Sequence, residues 1–85
     1  MASYRLLIKP SAAKDLEALP LKDRKRVAAQ IQRLGSNPRP DGAEKLSGQD
    51  KYRLRQSDYR VLYSIDDTQA TVVIVRIGHR REVYR

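Results

Sequence analysis

The sequence contains no cysteine, so neither a disulfide nor a thiolate metal site can hold it together. Its single histidine, His79, is too few for an ordinary zinc or iron centre, and no metal or other cofactor is expected. It also lacks any apolar run near the roughly 20 residues that span a bilayer, and the opening Met1-Ala2-Ser3-Tyr4-Arg5 carries no secretory stretch. The expectation is a soluble, unexported, cytoplasmic protein suited to a reducing compartment. With 85 residues there is room for one domain, 1–85, around one core.

Acidic residues are also in short supply. Ten Asp and Glu against 18 Lys and Arg leave a net charge of +8, and the pI is near 10.2. Such an imbalance predicts a polyanionic partner: nucleic acid, an anionic membrane surface or an acidic protein. A membrane surface fits least, because neither helical segment pairs a broad apolar face with a continuous basic one. Total charge does not choose between the others, so position has to.

From Tyr4 to Lys9, Leu6, Leu7 and Ile8 read as a short buried strand closed by Pro10. Ser11 is placed to cap a helix in which Ala12, Leu16 and Leu19 share a stripe, and Pro20 ends or redirects it. A second helix over Leu21–Leu34 puts Val27, Ile31 and Leu34 on one face, with Gly35 as its stop. The stretch from Ser36 to Gly42 is the one long loop, and Glu44 to Gly48 reads as a short apolar anchor and a turn. Three strands of a β-meander follow, over Lys51–Gln56, Tyr59–Ile65 and Thr71–Ile77, with turns at Ser57-Asp58 and Asp66-Asp67. The fold class is α+β: two N-terminal helices packed on a small, mainly antiparallel sheet in the order β-α-α-β-β-β.

Alternation along the first meander strand sends Arg53 and Arg55 to one face and Tyr52 and Leu54 to the other. A two-residue turn at Ser57-Asp58 pairs Gln56 with Tyr59 and Arg55 with Arg60. Like charges directly opposite each other destabilise a sheet by a few tenths to roughly 1 kcal/mol, so the pair calls for a reason. The segment Gly78 to Arg85 adds His79, Arg80, Arg81, Tyr84 and Arg85 at the end of the last strand. Antiparallel pairing brings that end near the hairpin, with the register open. A convergent set of guanidiniums is a phosphate site, since each offers five donors in a planar fork and stays charged. Taken singly, these residues have plainer roles: solvated strand charges for Arg53 and Arg55, a core edge for Tyr84, a structural ring for His79.

These residues resemble the RelE branch of the RelE/ParE toxin superfamily of toxin-antitoxin systems. The resemblance is carried by Ser11-Ala12-Ala13-Lys14-Asp15-Leu16, by Asn37-Pro38-Arg39-Pro40 before Lys45-Leu46-Ser47-Gly48, by Tyr52-Arg53-Leu54-Arg55, by Asp58-Tyr59-Arg60-Val61-Leu62-Tyr63, and by Gly78-His79-Arg80-Arg81-Glu82-Val83-Tyr84. Each stretch is short and degenerate, while their order along the chain is specific.

The resemblance implies a type II toxin, a metal-independent endoribonuclease (mRNA interferase). It would enter the ribosomal A site, contact ribosomal RNA and cut mRNA by attack of a ribose 2′-hydroxyl on the adjacent phosphate. Arg60 would bind the scissile phosphate, and Arg80 would stabilise the transition state or donate a proton, with Arg81 competing for that role. Tyr84 would orient, stack on or deprotonate the substrate. Arg53 and Arg55 stand where the best-known member has lysines, so the base falls to Tyr84 or His79. Lys51, Arg53, Arg55, Arg60, Arg81 and Arg85 would hold the RNA backbone. The partner implied is a cognate RelB-like antitoxin in a hetero-oligomer. Because some relatives continue past the terminal tyrosine into a helix and this sequence stops at Arg85, the antitoxin is expected to fold along the basic surface. Two other readings stand beside this one: a ParE-like inhibitor of DNA gyrase, and a nucleic-acid-binding module without catalysis.

Overall fold

A computed structural model describes residues 3–46 and 50–79. Its elements are β1 (Arg5–Ile8), α1 (Pro10–Glu17), α2 (Leu21–Arg33), β2 (Ala43–Lys45), β3 (Lys51–Gln56), β4 (Tyr59–Asp66) and β5 (Thr71–His79). They form the α+β arrangement anticipated, with one addition: residues expected to form only an anchor and a turn make the short strand β2. The sheet has five strands in the order β1-β5-β4-β3-β2; β1 runs parallel to β5, and every other pair is antiparallel.

The helix starts where Pro10 fixes its own φ and pushes Lys9 into extended backbone, φ −64° and ψ 149°. Ser11 therefore falls inside the helix and does not cap it; its hydroxyl lies 3.4 Å from the Val75 carbonyl. The helix ends at Glu17, so Leu19 lies beyond it, yet its side chain still enters the core. Gly35 follows the second helix without a left-handed φ, and the Leu34 amide closes the last turn onto the Ile31 carbonyl at 3.0 Å.

Both helices cover one side of the sheet. Ala12, Leu19, Val27, Ile31 and Leu34 meet Leu54, Val61, Tyr63, Ile65, Val72, Ile74 and Ile77 in a single core. Burying such side chains contributes about 1.5–3 kcal/mol each relative to exposure. The first strand is the main departure: Leu7 is 46 % exposed and Ile8 44 %, so it is not a buried strand. Among the described residues it lies at the edge with β5 as its sole sheet neighbour, and of its side chains only Leu6 packs on the core.

Tyr63 is fully buried, and its hydroxyl donates to the Pro38 carbonyl at 2.8 Å, tying the long loop to the sheet. A second tie is Arg39, whose guanidinium makes a two-pronged bond to Asp67 at 3.2 and 2.9 Å. Its Nε also donates to the Tyr52 hydroxyl at 3.1 Å, and Tyr4 donates to Asp67 at 2.7 Å.

Candidate nucleic-acid interface

The β3–β4 register is the one that alternation and a two-residue turn dictate: Gln56 opposite Tyr59, Arg55 opposite Arg60, Arg53 opposite Leu62 and Lys51 opposite Ser64. Ser57 adopts φ 54° to make so tight a turn. Arg53, Arg55 and Arg60 thus share the sheet face turned away from the helices, with Lys51 further along it. The helices brace this hairpin from behind, for Gln30 on α2 donates to Gln56 at 2.9 Å and Tyr59 donates to Asp23 at 3.3 Å.

Arg60 departs from a solvated strand charge. It is only 7 % exposed; its Nη1 donates to its neighbour's carbonyl, Tyr59 O, at 3.3 Å, and its Nε is buried without a hydrogen-bond partner. A guanidinium held this way keeps unused donor capacity inside the protein, where an unmet donor costs about 1–3 kcal/mol. Opposite it on β5 stands Gly78, which puts no side chain over that position.

Beside these arginines lies a carboxylate that sequence reading did not single out. Glu44 on β2 is opposite Arg53, and the two form an ion pair. The Arg53 guanidinium holds the Glu44 carboxyl below the usual carboxylate range, and the charges of Arg55 and Arg60 add to the same pull. The Glu44 carboxylate is thus paired with Arg53, in a field to which Arg55 and Arg60 also contribute. A strand of three residues is too short to show a period, so the only available signal was Glu44's nearness in sequence to the meander.

His79 was grouped with the arginines in the sequence, and the structure puts it elsewhere. It is opposite Tyr59, one position out of step with Arg60 and Gly78, so its side chain belongs to the helix-side face. There the two rings meet edge to face with centroids 6.1 Å apart, beside a cleft of about 320 Å³ lined by Asp15, Leu19, Pro20 and Ile77 among others. Asp15 anchors that end of β5 by accepting from Arg76 at 2.8 Å and from the Ile77 amide at 3.0 Å. Arg80, Arg81, Tyr84 and Arg85 lie outside the described residues. Among the described residues, no three His, Asp or Glu side chains are grouped so as to hold a metal ion.

Over residues 6–84 the sequence matches the family model described as ParE toxin of type II toxin-antitoxin system, parDE. The chain belongs to this toxin family. As a RelE/ParE superfamily toxin it has close company in three dimensions. It superposes on a chain of the toxin-antitoxin complex RelBE2 from Mycobacterium tuberculosis with a TM-score of 0.83 and 30 % identity, covering 96 % of this chain and 97 % of that one. The archaeal RelE–RelB complex from Pyrococcus horikoshii gives 0.80 and 28 % over 95 % and 99 %, and the isolated RelE toxin of E. coli gives 0.80 and 28 % over 96 % and 92 %. Toxin RelG of Mycobacterium tuberculosis is 50 % identical over 34 residues, a match spanning 40 % of this chain and 39 % of that curated relative.

Proposed function

We propose that this toxin blocks translation by cutting mRNA on the ribosome, through attack of a ribose 2′-oxygen on the adjacent phosphorus without a metal ion. In that step the 2′-oxygen loses its proton and bonds to phosphorus, the bond to the 5′-oxygen breaks, and a proton goes to the leaving oxygen. The products are a 2′,3′-cyclic phosphate and a free 5′-hydroxyl. The observation that carries the reading is that Arg53, Arg55 and Arg60 share the sheet face turned away from the helices, Arg55 directly opposite Arg60, with Arg60 buried and short of a partner at Nε.

Arg60 would grip the scissile phosphate and offset the charge of the phosphorane, usually the largest single contribution to such catalysis. Arg55, Arg53 and Lys51 would track the RNA backbone along the same face, and Arg81 and Arg85, outside the described residues, would add contacts to that backbone. Arg80 would add to the charge offset or protonate the leaving oxygen. Arginine holds its proton too firmly to be the base; of the residues marked by the resemblance, Tyr84 and His79 can accept one. The position of His79 across the sheet from Arg60 favours Tyr84. The solved complexes of RelE with RelB support a RelB-like antitoxin as partner here, laying an acidic segment on the basic face.

Toe-printing on programmed ribosomes tests the reading: the expected result is a new mRNA 3′ end in the A site with wild-type protein and loss of it with Arg60→Ala. Undiminished cutting by both Tyr84→Phe and His79→Ala would remove the assignment of the base. The matched family's description as ParE toxin favours one other reading, a ParE-like inhibitor of DNA gyrase. Inhibition of supercoiling with no mRNA cut on ribosomes would decide for it.

A further inference from the structure

Within the arginine face the free protein already carries an anion. Glu44 stands opposite Arg53 on the short edge strand, its carboxylate bonded to that guanidinium and within the field of Arg55 and Arg60. The Glu44 side chain is 58 % exposed, so solvent and incoming ligands can reach it. Contrast the Asp67 carboxylate, which is locked by both prongs of Arg39 and by the Tyr4 hydroxyl, and which lies at the far end of β4 from Arg60. Among the described residues, Glu44 accepts from one guanidinium, that of Arg53, and its strand of three residues pairs with β3 alone, a light tether.

We propose that Glu44 is a resident counter-anion of the arginine face, whose carboxylate occupies Arg53 in the free protein and is exchanged for a phosphodiester of single-stranded RNA on binding. The inference rests on the RNA reading above and deepens it: Glu44 sets how tightly the face takes an RNA backbone. Exchange has two consequences. The phosphate gains a cation that was already neutralised, so Arg53 contributes less to affinity than Arg55 or Arg60. Fewer counterions are released than the number of arginines implies, because Glu44 has taken the place of one of them. An exposed ion pair holds weakly, so the exchange is open to a ligand that brings several phosphates at once.

The test is Glu44→Gln, which keeps the shape and a hydrogen-bond acceptor and removes the charge. Dissociation constants would be measured across a salt series for two probes: a single-stranded RNA with 2′-O-methyl riboses, which is not cut, and long-chain inorganic polyphosphate. One unit charge a few ångström away corresponds to about three- to tenfold tighter binding at low salt. The log–log salt slope should steepen by about 0.7, the share of one phosphate on a single strand. Arg53→Gln should also cost more affinity in the Glu44→Gln background than in the wild type.

Glu44→Asp retains the charge and is expected to bind as the wild type does. If it gained as much as Glu44→Gln, loosening of the edge strand and not charge would be the cause, and the proposal would fall. Unchanged constants and slopes for Glu44→Gln on both probes would overturn it as well, even if the wild-type protein cuts mRNA. Tighter polyphosphate binding with no RNA binding by either variant would keep the resident counter-anion and remove RNA as its ligand.

Discussion

Arg60 shows how a residue read as a surface charge becomes something else once its strand is placed. Alternation gave its face and its opposition to Arg55, but its burial and its unmet Nε arise from tertiary neighbours that no period reveals. In ribosome-dependent cleavage, Arg60→Ala should lower the rate about 10²–10³-fold, equivalent to roughly 2.7–4 kcal/mol, as measured for a lost donor in comparable sites. Quantifying single-turnover cutting on programmed ribosomes checks this, and a loss below tenfold would take Arg60 out of the phosphate role. Ala70, by contrast, is held at φ 48° in the β4–β5 turn, a conformation that costs a residue with a Cβ about 1–2 kcal/mol. Allowing for the chain entropy that glycine adds to the unfolded state, Ala70→Gly should stabilise the fold by about 0.5–1 kcal/mol. A urea titration reads this directly, and a lower midpoint would refute it.

Among elements, those with a long period were legible and those without one were not. The three meander strands and the second helix follow from Val27, Ile31 and Leu34 at helical spacing and from the alternation through Tyr59, Val61, Tyr63 and Ile65. The Arg55–Arg60 register followed from turn length alone. What escaped was β2, with three residues, and with it Glu44; the exposed edge position of β1 escaped too, because an apolar triplet looks the same whether covered or not. The face taken by His79 was not legible for a related reason: with the register open, one residue either way changes the face. The long loop is fastened to the sheet twice, at Pro38 by Tyr63 of β4 and at Arg39 to Asp67 just beyond β4 and to Tyr52 of β3. Removing the Tyr63 hydroxyl by Tyr63→Phe leaves the buried Pro38 carbonyl without its donor and should cost about 1–3 kcal/mol. Equal denaturant midpoints for the two proteins would contradict that tie.

For the whole molecule, the shifted groups bound stability at both ends of the pH scale. Burial pushes the Tyr63 hydroxyl up to about 12 from its ordinary value of 10.0, so the folded state keeps a proton that the unfolded chain gives up. That contribution is complete below pH 10 and disappears as pH rises towards 12. At the acid end, Arg53 and Arg39 hold the carboxyls of Glu44 and Asp67 below 4.5 and 3.8, so their contribution is present above those values and is lost as pH falls through the lowered ones. Melting curves across pH should show a plateau through neutrality with a drop beginning near pH 10. In Tyr63→Phe that alkaline drop should be shallower, and an identical slope would show that another group causes it.

The parallel pairing of β1 with β5 joins strands at opposite ends of the described residues. Leu6 waits for Val72, and Arg60 waits for the Gly78 backbone that flanks it. A growing chain on the ribosome therefore cannot complete this sheet while β5 is still inside the exit tunnel, and so pairing of this kind makes folding late and slow. Synthesis order thus gives the producing ribosome a built-in delay: the peptide it carries cannot present an assembled cationic face before β5 has left the tunnel.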